Sequence, residues 1–216
     1  MDASIYDKDY YEHGPESGKS CYQNYRWIPE LTIPMAMTII DFLDIKRFQT
    51  ILDYGCAKGF LVKALRLLYR DAWGIDVSSY AIENLDSEVE NYCCSCPDKG
   101  KYGHIYGIPK RFDFCIAKDV FEHIPREEIP DVLENIKANI LFAIIPLGDN
   151  GKFIAPANNC DITHVTCRPA GWWKSVFIAN GWKMTDFRYR IDGIKDSYYE
   201  KYPEAHGFFT LRRPIK

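Results

Sequence analysis

Residues 51–62 read Ile51-Leu52-Asp53-Tyr54-Gly55-Cys56-Ala57-Lys58-Gly59-Phe60-Leu61-Val62, and the fold is decided there. Ile51 and Leu52 form a short apolar run that ends on a carboxylate, Asp53, which is the pattern of a buried strand. Gly55 and Gly59 break the chain, and Phe60, Leu61, Ala64, Leu65 and Leu68 then recur at helical spacing. A strand that turns through small residues into a helix is the first unit of a nucleotide-binding α/β domain. Glycine in such a turn lets the backbone approach a ligand closely, because no Cβ stands in the way. The first N–H groups of the helix have no partner within it and face an anionic or acceptor-rich ligand.

Downstream, Ala72-Trp73-Gly74-Ile75-Asp76-Val77-Ser78 repeats the device, with Asp76 placed 23 positions after Asp53. Dinucleotide folds carry an acid about 20 positions on, at the end of the second strand, where it binds ribose hydroxyls. A carboxylate accepts hydrogen bonds from the 2′ and 3′ hydroxyls together. Ser78 reads as the N-cap of the helix that follows. Further strands are expected near 92–96, over 112–117 and over 140–145, with a helix between the last two carrying Ile129, Val132, Leu133 and Ile136 on one face. This alternation predicts a doubly wound, mostly parallel sheet.

The flanks add less regular segments. Leu31, Met35, Ile39 and Phe42 predict a helix over 29–48, its methionines filling the core. Residues 149–168 read as a polar loop, 169–180 as a helix closed by Gly181, and 183–191 with 207–212 as an antiparallel pair at one sheet edge. Residues 1–28 hold tyrosines at 6, 10, 11, 22 and 25 without a clean period, and Gly14-Pro15 and Gly18 interrupt any helix. This arm reads as aromatics packed on the surface or as a lid over a ligand. The expected division is an arm or lid over 1–28 and one domain over 29–216.

Composition narrows the function classes. A chain of 216 residues with 47% hydrophobic and 15% aromatic content supplies a sizeable core and excludes disorder. Net charge is −3, and 27 basic and 30 acidic residues are mixed along the chain, so no basic stripe offers a surface for nucleic acid. The longest apolar run, over 140–147, is too short to span a bilayer. Met1-Asp2-Ala3-Ser4 resembles neither a signal nor a transit peptide, and a cytoplasmic protein is expected. The eight cysteines then read as reduced thiols. Cys93, Cys94 and Cys96, with His104 beyond, depart from the Cys-x-x-Cys spacing of zinc sites, so no metal is expected. Cys56, Cys115, Cys160 and Cys167 read as small core fillers.

At this point the chain resembles the class I methyltransferases that use S-adenosylmethionine. Asp53, Gly55 and Gly59 match the family's first motif, with Ala57 where a middle glycine is usual. Gly74 to Ser78 match its second, and Phe112-Asp113 through Asp119-Val120-Phe121-Glu122-His123-Ile124 resembles its segment after the fourth strand. Asp161-x-Thr163-His164, Trp172-Trp173 and Gly181-Trp182 resemble one branch that often methylates small molecules and sugars. The resemblance implies a Rossmann-like sheet of seven strands with an antiparallel last strand. A nicotinamide fingerprint would need glycines at 55, 57 and 60, where Gly, Ala and Phe stand; Phe60 suits packing under a mononucleoside cofactor. A phosphate-binding P-loop is absent too, since no Gly-Lys-Ser/Thr ends the turn.

Carried over, the resemblance implies that Asp53 and the Gly55 backbone hold the methionine amino group, with Cys56, Ala57 and Gly59 shaping the loop. Asp76 takes the ribose, Val77 flanks the adenine, Asp98 meets the adenine amine, and Lys118 gives backbone near the sulfur. Tyr22 or Arg26 closes over the methionine end. Methyl transfer needs an in-line nucleophile in a dry site, and a hydroxyl nucleophile needs a base as well. His164 is the candidate base, in the loop after the fifth strand, with Asp161 three positions away to orient it. His123 is the rival, read more simply as a packing or capping residue. The expected acceptor is a small molecule or glycan precursor, with no DNA partner and a monomer or homodimer. A methyltransferase acting on protein or RNA, or a binding module for S-adenosylmethionine, is the alternative.

Overall fold

The computed structural model describes residues 2–96 and 107–214. Two short helices, Lys8–Glu12 (α1) and Gly14–Ser17 (α2), lie in the arm, and Pro29–Leu43 (α3) follows. Then come Thr50–Tyr54 (β1), Phe60–Leu67 (α4), Asp71–Asp76 (β2), Ser79–Glu83 (α5) and Cys93–Ser95 (β3). Phe112–Lys118 (β4), Ile129–Asn135 (α6) and Ala138–Pro146 (β5) continue the alternation. A hairpin of Gly148–Asp149 (β6) and Lys152–Phe153 (β7) precedes Ala170–Ala179 (α7), Lys183–Arg188 (β8), Asp196–Tyr199 (α8) and His206–Arg212 (β9).

Seven strands form one sheet in the order β3-β2-β1-β4-β5-β9-β8. The pairs from β3 to β5 are parallel, and β9 runs against both β5 and β8, so β9 alone is reversed. This is the expected Rossmann-like sheet with its antiparallel last strand. Ile51 and Leu52 of β1 are fully buried, as suits an inner parallel strand covered on both faces. One face is covered by Leu133 of α6 and by Trp173 and Phe177 of α7. Ile39 of α3 and Leu65 of α4 cover the other. The chain runs from β1 outward to β3 and returns to the other side of β1 as β4. At such a reversal the connections leave a crevice beyond the carboxyl ends of the strands.

Several local expectations are corrected. α3 stops at Leu43 rather than near 48, because Asp44 takes a left-handed φ of 53° and the Ile45 N–H donates to the Ile40 carbonyl at 3.0 Å. Met37 is half exposed rather than core filling. The loop over 149–168 contains the β6–β7 hairpin and a 3₁₀ turn at Pro156–Asn159. Cys56 and Cys115 are buried as expected, whereas Cys160 is exposed and Cys167 intermediate. Among the described residues no helix is long and apolar enough to cross a membrane.

Candidate active site

The turn after β1 is built for close approach. Gly55 has φ 81°, and a Cβ there would lie 2.6 Å from Val120 Cγ2, so only glycine fits. The N–H groups of Gly55 and Cys56 donate to the Ile75 carbonyl at 2.8 and 3.0 Å, tying the turn to the end of β2. Ala57 has φ 47°, a region that costs a residue with a Cβ roughly 1–2 kcal/mol. Its N–H donates to Asp76 Oδ2 at 2.7 Å, and the Ser78 N–H donates to Asp76 Oδ1 at 2.8 Å. Ala57→Gly is therefore expected to stabilise the chain by roughly 0.5–1 kcal/mol, the relieved strain less the extra freedom of the unfolded chain. Urea unfolding checks this; equal or lower stability would mean that the alanine conformation carries no net strain.

A cavity of about 350 Å³ lies over this turn. Gly55, Ala57, Asp76, Val77, Lys118 and His123 form its floor and walls, and arm tyrosines 6, 10, 11, 22 and 25 line it as well. Of the expected cofactor residues, Asp53, Cys56 and Gly59 lie behind the wall and not on it. Asp53 is 4% exposed, and burial pushes its carboxyl up to about 7; the Lys118 charge opposes the rise and Asp76 adds to it. Cys56 is buried against Gly74, near Cys93. Gly59, at φ 77°, opens α4. Asp98 lies outside the described residues. Tyr22 is on the wall and Arg26 is not. Phe60 does not lie under the cavity but packs on Tyr25 and Trp27, at ring-centroid distances of 5.3 and 6.0 Å.

The arm is tied to both ends of this cavity. The Ser78 hydroxyl accepts from the Ala81 N–H at 3.0 Å, capping α5 as expected, and donates to the Tyr6 carbonyl at 2.6 Å. The Tyr10 hydroxyl donates to Asp161 Oδ2 at 2.7 Å. Lys58 pairs with Glu12 of α1 and donates to the Tyr25 carbonyl at 3.2 Å. Burial raises the phenols of Tyr6, Tyr10 and Tyr11, so all three stay protonated.

At the far end the turn after β4 meets the loop after β7. His123 and His164 pack edge to face, with centroids 4.6 Å apart. His123 is on the cavity wall, while His164 lies behind it against Phe153. The partner of His164 Nδ1 is the Asn158 carbonyl at 2.6 Å; Asp161 Oδ2 is 3.8 Å from Nε2, beyond hydrogen-bond reach. The orienting role expected of Asp161 thus falls to the Asn158 carbonyl. Asp161 Oδ1 instead accepts from the Thr163 N–H at 2.9 Å and from its hydroxyl. His123 Nδ1 meets Thr163 Oγ1 at 2.7 Å. Burial, with His164 adding, lowers the His123 pKa to about 4, so this ring is neutral.

Glu122, 1% exposed, faces both rings with Oε1 at 3.9 Å from His123 Nε2 and 4.0 Å from His164 Nε2. Burial raises its carboxyl well above the usual range, and Asp119 adds to the rise. Asp119, at φ 55°, accepts from Lys118 Nζ and Lys195 Nζ, both at 2.6 Å. Burial alone would raise the Asp119 carboxyl, but these two ammonium groups hold it far below the usual range. Glu122 stood inside a motif without a role of its own. Lys195 had no motif around it and is found only through the fold.

The turn has the features an adenosyl ligand requires: a glycine at φ 81° with no room for a Cβ, an acid on the wall at the end of β2, and a second, desolvated acid behind the wall at the end of β1. Fold and site define a nucleoside-binding α/β protein of the doubly wound class. Residues 33–146, more than half the chain, match the family described as "Methyltransferase domain", and the protein belongs to that family as a class I S-adenosylmethionine-dependent member. S-adenosylmethionine is its cofactor. Three solved structures share the fold. A glycopeptide N-methyltransferase, MtfA, complexed with sinefungin is 8% identical at TM-score 0.60, covering 85% of this chain and 87% of that one. An S-adenosylmethionine-dependent methyltransferase from Clostridium acetobutylicum is 9% identical at TM-score 0.59, with coverages of 87% and 93%. The [4+2]-cyclase SpnF is 18% identical at TM-score 0.59, with coverages of 92% and 87%. None of the curated proteins compared matches the chain.

Proposed function

We propose that the protein transfers a methyl group from S-adenosylmethionine to a hydroxyl of a small molecule, such as a sugar or glycan precursor. The observation that carries this reading is the cavity bounded by the tyrosine arm, with Asp76 and the β1 turn at one end and His123, backed by His164, at the other. A lid over such a space admits a small acceptor and excludes water, which suits methyl transfer. S-adenosylmethionine supplies a methyl group already activated on a sulfonium sulfur. Asp53 and the Gly55 backbone hold its amino group, Asp76 its ribose, Val77 flanks its adenine, and Lys118 contributes backbone near its sulfur. His164 Nε2, with the Asp161 carboxylate at 3.8 Å to offset positive charge, takes the hydroxyl proton.

Asp76→Ala is expected to weaken S-adenosylmethionine binding by ~1–3 kcal/mol, the scale for losing hydrogen bonds to a charged group. Calorimetry giving unchanged affinity would remove the acid from the ribose. The reading as a whole is tested by incubation with methyl-labelled S-adenosylmethionine and separate pools of hydroxylated metabolites, protein and RNA. Label is expected in the small molecules. Label in a macromolecular pool would favour the protein or RNA alternative. A second reading, a cofactor-binding protein with different chemistry, is favoured by the likeness to the [4+2]-cyclase; binding without label in any pool would select it.

A further inference from the structure

We infer that Glu122, His123 and His164 form a binding site for one divalent first-row transition metal ion, zinc being the type case. Their ligand atoms all lie within 4.8 Å of one another. The hydrogen-bond network fixes what each atom offers. The Asn158 carbonyl accepts only, so His164 Nδ1 carries a proton and Nε2 is the nitrogen left to offer a lone pair. Thr163 donates its hydroxyl to Asp161, so the same hydroxyl accepts from His123 Nδ1, and His123 Nε2 also carries a lone pair. Both lone pairs face Glu122 Oε1, and neither carboxylate oxygen of Glu122 has a hydrogen-bond partner among the described residues.

Two lone pairs and a buried carboxylate therefore converge with no donor between them. Neither Glu122 oxygen is satisfied by the described residues, and at 3.9 and 4.0 Å a proton on Glu122 reaches neither ring. A cation satisfies all three. Metal–ligand bonds of about 2.1 Å set neighbouring ligand atoms roughly 3.0–3.4 Å apart, so side-chain shifts of about half an ångström close the site. Two imidazoles and one carboxylate select zinc or a neighbouring transition metal over magnesium or calcium, and three protein ligands leave a position open. Both imidazoles already have their other nitrogen held by a second partner, as metal-bound histidines usually do. His164 also borders a surface hollow beside Arg126, Gly151 and Arg168, which gives an ion a route from solvent.

His123 stands on the cavity wall, so the open position serves an acceptor oxygen there. The metal lowers the pKa of that hydroxyl, and its proton passes to solvent. An oxygen lone pair then forms the new bond to the methyl carbon, while the carbon–sulfur bond breaks and its electrons return to a neutral thioether. With the ion bound the histidine lone pairs are committed to it, so this route replaces proton uptake by His164 Nε2 rather than adding to it. This role rests on the hydroxyl-methylation reading; the metal site itself does not.

The test uses the full-length chain after chelation, titrated with Zn²⁺ by calorimetry and with Co²⁺ by visible absorption. One equivalent is expected, with cobalt bands of nitrogen and oxygen ligation and a raised melting temperature. Glu122→Gln, His123→Gln and His164→Gln are each expected to weaken zinc on the order of 100-fold, at or above the range for losing an outer-shell partner. Circular dichroism confirms that each variant is folded, and Glu122→Gln keeps the buried volume if a histidine variant is not. No binding, cobalt–thiolate bands, or affinity that survives the substitutions would overturn the site. Methylation that is indifferent to chelation would overturn the metal's role. Intact metal and S-adenosylmethionine binding with no methylated hydroxyl product would count against the reaction and leave the site standing.

Discussion

Turnover of the His164→Ala variant is expected to fall by about 10²–10⁴-fold, the span for losing the group that manages a proton in the transition state. Affinity for S-adenosylmethionine is expected to stay at the wild-type level. His164 is absent from the cavity wall, and its neighbours include Phe153, His123, the Asn158 carbonyl, Glu122 and Asp161, none of them in the β1 turn. The two effects separate because the cofactor's acids and the histidine pair come from opposite sides of the strand reversal. Steady-state kinetics with calorimetry checks both numbers. Wild-type turnover would remove His164 from the reaction, and a parallel loss of cofactor affinity would assign it a structural part.

The second large effect is on pH. Asp53 in the cofactor-free chain has a carboxyl raised to about 7 by burial, with Asp76 adding and Lys118 opposing. In the proposed binding mode the ammonium of S-adenosylmethionine pairs with the ionised form, so binding lowers this pKa and releases a proton where the free group is protonated. Affinity is therefore full above pH 7 and lost as pH falls. With half the groups ionised at pH 7 and about one in a hundred at pH 5, the expected loss is roughly 50-fold over that interval. Calorimetry in buffers of different ionisation heat reads both affinity and proton release. The Asp53→Asn variant is expected to bind weakly with a flat profile. A flat wild-type profile would separate Asp53 from the amino group.

What was legible in the sequence was local. The strand, turn and helix that begin at Ile51 announce themselves within a short stretch, and Asp76 repeats the pattern one unit later, so the sheet follows from short-range signals. The arm's helices were not legible, since α1 and α2 are short and rest on the Asp7 cap to the Tyr10 N–H and on packing against Ala81 and Tyr80. The end of α3 depends on a left-handed Asp44, a conformation that this residue type permits without announcing it. Glu122 and His164 are 42 positions apart and meet only because the loop after β7 folds back over the end of β4. The Asp161–His164 pairing was inferred from adjacency in sequence, and the Asn158 carbonyl takes that place through a turn with no side-chain signal. Lys195 reaches Asp119 from a segment without a motif, and topology alone supplies it.

Tyr6 and Tyr10 are four positions apart, yet one is held by Ser78 beside Asp76 and the other by Asp161 beside the histidines. A single short stretch of the arm thus touches both ends of the cavity. In the proposed reading of the arm as a lid, substrates arrive in a compulsory order, cofactor before closure, and products wait for the lid to lift. The residence time of the spent cofactor then belongs to the arm. Loosening the Tyr10 hydroxyl contact by Tyr10→Phe is expected to speed product release in stopped-flow measurements, and an unchanged rate would place that control elsewhere.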